Sequence, residues 1–424
     1  MKFTLQQNMW QGFEPVEIEL PDAWDVEYHG VKADSLPALT KEEIRAKINR
    51  PFGLPPLREL ARGRQKVAIV FDDISRGTPT QILAEIVLEE LHAAGIQKEQ
   101  IRFLCALGMH GAHNRRDFVC KLGEEIVSSY DVYNHNCYEN NLQIGVTKRG
   151  IPVQINAELM ACDLKIGLGA MLPHIFNAFG GGGKILFPGM ASDVTVNGNH
   201  TAIVSFMQKN KVSLADLLGD LRVDAMRTEV EEMTRMVGEF FKIDCLFNTR
   251  QEIVDVYSGD AIEEYYAAVP KAQEIYVSKR ARDKQIVIVN ANARSNEANI
   301  ALALAFLGIS RETGGDIVLI DRTTMGQIVH YLFGMFGDDA PGRQYRKVAK
   351  PSDFIRRIIC FMNRDSTTAH ILGNMDKQVY VNSWAEVMEL LRDYGPGTKV
   401  SVLADGSMQY FEIDPNLKLT SGAA

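Results

Sequence analysis

The sequence predicts an α/β protein made of two α/β domains with mostly parallel sheets and an active site in the interdomain cleft. Three observations predict it. The chain has 424 residues, enough for two or three hydrophobic cores. Continuous β-branched runs alternate with helical patterns, as in parallel sheets covered by helices. Loops rich in Gly, His, Arg and Asp follow several of those runs, where the carboxyl ends of parallel strands collect ligands. Hydrophobic residues make up 46% and charged residues 24%, values of a folded globular chain rather than a disordered one. Lys plus Arg number 46 against 54 Asp plus Glu, a net charge of −8, so no basic footprint exists for nucleic acid.

Taken in order, the first sixty residues are irregular, with strand-like pieces at Phe3 to Leu5 and Val16 to Leu20 and a helical pattern near Lys41 to Ile48. Lys66 to Phe71 is a buried strand, followed by an Asp-rich turn and a helix from about Thr80 to Ala94 on which Ile82, Leu83, Ile86, Leu88 and Leu91 recur near helical spacing. Ile101 to Leu107 and Asp163 to Ala170 repeat the strand-then-loop pattern. A polar amphipathic stretch, Asp260 to Lys279, sets a boundary near residue 275 and predicts a cofactor-binding and catalytic domain over 1–270 and a closing domain over 280–424. The second domain carries strand candidates at Gln285 to Val289, Gly315 to Ile320 and Lys399 to Leu403, a Gly-, Asp- and Arg-rich loop at Gly334 to Arg346, and a helix at Ser383 to Tyr394 with its serine as N-cap. The N-terminus lacks the apolar run of a signal peptide, and no stretch reaches 18 apolar residues, so a cytoplasmic location without a membrane partner is expected. Six scattered cysteines without a Cys-x-x-Cys pair read as buried free thiols.

Three loops carry the candidate chemistry. Asp72 to Pro79 offers carboxylates, a hydroxyl and the Arg76 guanidinium at a helix entrance; it suits a phosphate or carboxylate, or simply caps the helix. Ala106 to Asn114 holds His110 and His113, which suit general acid/base work, a metal pair or capping. Pro173 to Gly189 contains His174, then Gly180-Gly181-Gly182-Gly183-Lys184. Four glycines in a row are expected only where backbone takes unusual dihedrals or lies close to a ligand. The run is not a P-loop, because Ala178 and Ile185 stand where glycine and a hydroxyl are needed, and Gly167-x-Gly169 ends at Leu172 rather than completing a dinucleotide fingerprint. His110, His113, His135, His174 and His200 fall close together in sequence, the density of an active site.

These residues resemble the nickel-pincer lactate racemases and their 2-hydroxyacid racemase and epimerase relatives. The family pattern has an Asp-x-[Ser/Thr]-Arg-x-Thr-Pro loop, a Gly-x-His loop, a histidine ten residues before the lysine that ends a glycine run, and a further histidine sixteen residues on. Here these read Asp73-Ile74-Ser75-Arg76-Gly77-Thr78-Pro79, Gly108-Met109-His110, His174 through Lys184, and His200. The resemblance runs over essentially the whole chain. It implies a nickel ion held in a pyridinium mononucleotide with two sulfur-bearing arms, one joined to Lys184, and His200 as a nickel ligand. It further implies Asp73, Ser75, Gly181, Gly182 and Gly183 as cofactor contacts, Arg76 facing the substrate or phosphate anion, and His110 and His174 as the two acid/bases. Partners implied are the small-molecule 2-hydroxy acid and proteins that assemble the cofactor.

Chemistry agrees with that assignment. The Cα–H of a 2-hydroxy carboxylate is very weakly acidic, since its removal places a second negative charge beside the carboxylate. Loss of the hydroxyl proton to a histidine, with hydride transfer to an electrophilic acceptor, gives instead a planar 2-keto acid that can be reduced on either face. The chain departs from the family at Gly180, where a serine is common, and at Asn290 to Glu297, which lacks the lysine that approaches the substrate carboxylate. Arg294 is the replacement expected there, with Asn292 or Asn296 hydrogen-bonding further hydroxyls of the substrate. The substrate expected is a short 2-hydroxy acid such as lactate, or a longer sugar acid or hydroxy-diacid. The other classes to be tested are a non-catalytic nickel or nucleotide carrier and an ordinary nicotinamide dehydrogenase.

Overall fold

Two six-stranded sheets form the framework of the computed structural model, which describes residues 1–7, 14–175, 177–211, 218–222, 225–331, 352–364 and 377–413. In the first sheet the strand order is Ile253–Asp260, Phe241–Phe247, Leu164–Ala170, Val67–Asp72, Ile101–Ala106, Asp131–Asn134. All pairings are parallel except at the Ile253–Asp260 edge. Val67 to Phe71 is buried at every position, as a central parallel strand covered on both faces requires. The chain moves from this strand outward to Ile101–Ala106, then returns to its other side at Leu164–Ala170. That reversal leaves a crevice at the strands' carboxyl ends.

The second sheet is parallel throughout, in the order Gln378–Val381, Ile355–Met362, Gly315–Asp321, Ile286–Asn290, Lys399–Leu403, Asp25–His29. Its own reversal lies at Ile286–Asn290, and the loop leaving that strand meets the loops of the first sheet. Gly77 N–H donates to the Ala293 carbonyl at 3.1 Å, and Gly111 N–H to that of Val329 at 2.7 Å.

Two expectations are corrected. The stretch from Asp260 is not a separating linker: Glu263–Tyr276 is a helix that buries Tyr265, Ala268, Ala272, Ile275 and Tyr276 in the core. Nor does the chain divide at one point, because Asp25–His29 pairs with Lys399–Leu403, and Leu5, Ile18, Leu20 and Trp24 pack with the second sheet's residues. The early strand pieces form an antiparallel hairpin, Lys2–Leu5 with Val16–Glu19. The helix expected at Ser383 runs Trp384–Leu390, with Ser383 and Glu386 closing a capping box. The Gly334 to Arg346 loop lies outside the described residues. All six cysteines are free, and five are buried. Among the described residues no helix is long and apolar enough to cross a membrane.

Candidate active site

The loop after Val67–Asp72 is not a helix cap. Helix Thr80–Ala93 starts at Pro79 without a side-chain cap, and the loop's polar groups are engaged elsewhere. Asp72 takes Lys121 and the Thr78 hydroxyl. Asp73 accepts the Ser75 N–H at 3.0 Å and the Ser75 hydroxyl on one oxygen, and His110 Nδ1 on the other. Burial alone would raise the Asp73 carboxyl, but His110, His113 and Arg76 beside it hold it well below the usual carboxylate range. A carboxylate that accepts from Nδ1 fixes the tautomer and leaves Nε2 as the working atom of the His110 ring. Asp73 and Ser75 thus position His110.

His113 has a different task from His110. Its Nε2 accepts the Ile74 N–H at 3.2 Å, and Asn114 rather than either histidine caps helix Arg115–Leu122. His135 is likewise structural, with Nε2 donating to the Ala191 carbonyl at 2.9 Å; burial lowers its pKa to about 4.

His110, His174, Lys184 and His200 all line one cavity of about 440 Å³, together with Asp73, Arg76, Gly181, Arg294 and Glu297. His174 sits in the short hairpin Pro173–His174 with Ala178–Phe179. Burial, then Lys184 and Arg294, push its imidazole well below the ordinary value, so the ring is neutral and able to accept a proton. The Lys184 amine is pushed down too, by burial first and then Arg76 and Arg294. Lowering the amine's pKa favours its unprotonated form, the form that acts as a nucleophile toward an acyl group. His200, on helix Asp193–Asn210, donates Nδ1–H to the Val196 carbonyl at 2.8 Å, which puts the ring's lone pair on Nε2, and burial lowers its pKa to about 4. An imidazole held by a backbone carbonyl and kept unprotonated is a ready ligand for Ni(II) or another borderline ion. This donor set fits a nickel-bearing group tethered at Lys184.

The glycine run works at two levels. Gly181 lines the cavity at φ +84°, and a Cβ there would come within 2.6 Å of Asp244 Oδ2, so only glycine lets the backbone pass. Gly182 N–H donates to Asp244 Oδ2 at 2.6 Å, and a Cβ on Gly183 would stand 2.0 Å from Thr234 Oγ1. Gly182 and Gly183 therefore seat the loop against the protein and do not line the cavity.

From the second sheet, Arg294 donates to the Pro173 carbonyl at 3.0 Å, and its Nε is buried without a hydrogen-bond partner. Asn292 does not line the cavity; its amide donates to the Thr249 carbonyl at 2.8 Å. Among the lining residues that sequence reasoning missed are Glu297 and His330. Glu297 pairs with Arg76 at 2.6 Å across 221 residues of sequence, and the His330 ring lies 4.6 Å from that of His110. Neither belongs to a local motif. The loop around Arg294 was the one available signal for Glu297.

Comparison with known proteins follows the same lines. The lactate racemase N-terminal domain family matches residues 11–212. A lactate racemase of Lactiplantibacillus plantarum is 26% identical over 285 residues, 66% of this chain and 65% of that protein, so the match spans just under two thirds of the relative. A lactate racemase of Thermoanaerobacterium thermosaccharolyticum is 23% identical over 363 residues, covering 84% of this chain and 81% of the relative. The solved lactate racemase apoprotein from that organism shares the fold at a TM-score of 0.70, with 18% identity over 97% of this chain and 100% of that one. A protein from Thermotoga maritima shares it at 0.64, with 16% identity over 88% and 99%.

Proposed function

From the match of residues 11–212 to the lactate racemase N-terminal domain family and from lactate racemases 26% and 23% identical to it, we propose that this chain is a member of the lactate racemase family and an isomerase that inverts the C2 centre of a 2-hydroxy acid. The observation that carries this reading is that His110, His174, Lys184 and His200, from three separate segments, line one cavity. We further propose that Lys184 and His200 hold a nickel-pincer nucleotide, Lys184 through an acyl bond and His200 through Nε2. When bound, that group supplies a reversible acceptor for hydride from C2.

The chain's own residues do the rest. Asp73 accepts from His110 Nδ1 and aims Nε2 at the substrate hydroxyl, so His110 removes the hydroxyl proton as the C2–H bond breaks. His174 is neutral through burial and serves the opposite enantiomer from its own hairpin. Once the planar keto acid has turned, the oxygen recovers a proton from the imidazole it then faces, which must first have taken one up, while the imidazole that acted as base releases its own, so the turnover is proton-neutral. Arg294, with an unpartnered Nε, takes the substrate carboxylate. Arg76 is neutralised in part by Glu297, so it orients rather than dominates. The small molecule expected is a 2-hydroxy acid, short or carrying further hydroxyl or carboxyl groups.

The experiment is turnover on a panel of enantiopure 2-hydroxy acids, using protein made in a host able to assemble the cofactor and verified by intact mass. Loss of optical rotation without net redox is expected for at least one acid. Loaded protein that racemises none, and His110→Ala or His174→Ala variants that retain full function, support a carrier instead. Nicotinamide absorbance changes during turnover support a dehydrogenase.

A further inference from the structure

A second set of donors faces the cavity and is not used for the nickel-bearing group. His110, Glu297 and His330 each present a ligand atom, and these atoms all lie within 4.8 Å of one another. They come from three segments that backbone hydrogen bonds fasten together. Gly111 N–H and Tyr331 N–H donate across to the Val329 and Met109 carbonyls, both at 2.7 Å, so His110 and His330 sit opposite each other in a bridge. Ile328 N–H donates to the Asn296 carbonyl at 2.8 Å, and the Gln327 amide to that of Ser295 at 2.8 Å, which ties Glu297's turn to the same strip.

We propose that His110, Glu297 and His330 form a binding site for a divalent transition ion such as Zn²⁺. Two imidazoles and a carboxylate with an open fourth position are the donor set of a catalytic-type zinc site. The partners behind the donors are those a metal site needs. Asp73 accepts from His110 Nδ1, which leaves Nε2 for the ion and forms a carboxylate–histidine–metal chain. Arg76 Nη1 donates to Glu297 Oε2 at 2.6 Å and leaves Oε1 for the ion. His330 is buried and lines the same cavity as the other two donors. Tetrahedral zinc with ligands near 2.0–2.1 Å spaces its donors by roughly 3.3 Å, so the three side chains close by roughly 1–1.5 Å, within rotamer adjustment. Arg76 weakens the attraction of Glu297 for a cation without removing it, since one oxygen is unused.

The ion would occupy Nε2 of His110, the atom that the proposed reaction uses as a base. Zinc is therefore an inhibitor of the racemisation; this consequence rests on the reading above, whereas the binding does not. The test uses the full chain produced without cofactor, stripped by a chelator and titrated calorimetrically with ZnCl₂. About one equivalent is expected to bind, with affinity reduced 10–100-fold in His330→Gln and Glu297→Gln. It should be unchanged in His92→Gln, which removes an exposed histidine on another face. Thermal melting of each variant shows that it is folded, and the visible spectrum of bound Co²⁺ reports the nitrogen and oxygen donors directly. No binding, or equal affinity in folded His330→Gln and Glu297→Gln, overturns the proposal. A second arm adds Zn²⁺ to the loaded enzyme: inhibition relieved by chelator supports both site and base, while site binding without inhibition supports the site and counts against His110 as the base.

Discussion

At His110, one carboxylate sets the chemistry. Asp73 is buried and held ionised, and its bond to Nδ1 determines which ring nitrogen meets the substrate. Asp73→Asn keeps the shape but offers an amide that can favour the wrong tautomer. It is expected to lower kcat by about 10²-fold or more with little change in KM. His110→Ala and His174→Ala are each expected to lose about 10²–10⁴-fold in kcat/KM while melting like the parent, as measured by polarimetry and calorimetry. The motif residues Arg76, His110, His174, Lys184 and His200 were legible because each lies in a short run with its own chemical signature. Glu297 and His330 were not, because their partners are supplied by distant segments and only folding makes them neighbours.

At the level of the element, the glycine loop carries the clearest prediction. Its last glycine packs against helix Ala225–Val237, where the Thr234 hydroxyl occupies the space a side chain would need. Gly183→Ala is expected to destabilise the protein by about 1–3 kcal/mol, seen as a lowered Tm, and to loosen the seat of Lys184. Gly180→Ala meets nothing nearer than 3.6 Å and is expected to be nearly silent in the same assay. Residue composition announced an unusual loop here, but not which glycine faces ligand and which faces protein. That distinction depends on Asp244 and Thr234, and nothing local to the loop encodes them.

Across the whole molecule, strand alternation was readable because parallel strands buried on both faces are continuous apolar runs. The strand Asp25–His29 was not, since it is a sheet-edge strand whose residues run from exposed Asp25 through half-buried Val26 and Glu27 and exposed Tyr28 to buried His29, a mixed pattern that resembles surface loop. One property belongs to the entire fold. His135, His174, His200 and His330 are all held neutral by burial, with pKa values near 4 for His135 and His200. An unfolded histidine near 6.5 binds a proton that these folded ones refuse, so stability is present above pH 6.5 and is lost as pH falls toward 4, by about 3 kcal/mol for His135 and for His200. Asp405, raised to about 6 by burial, opposes this over part of the same range, since its folded form keeps a proton that the unfolded chain releases. The histidines outnumber it. The Tm is expected to fall steeply between pH 6.5 and 4, and a flat profile there would mean these rings are not buried neutral.

The most direct measurement uses a substrate acid labelled with deuterium at C2 and racemised by the loaded enzyme in ordinary water. If two imidazoles handle only the hydroxyl proton, the deuterium stays on C2 in both enantiomers, as mass spectrometry of the product will record. Replacement of the label by solvent hydrogen at the rate of inversion would mean that a base takes the carbon-bound proton itself, and the account would fail.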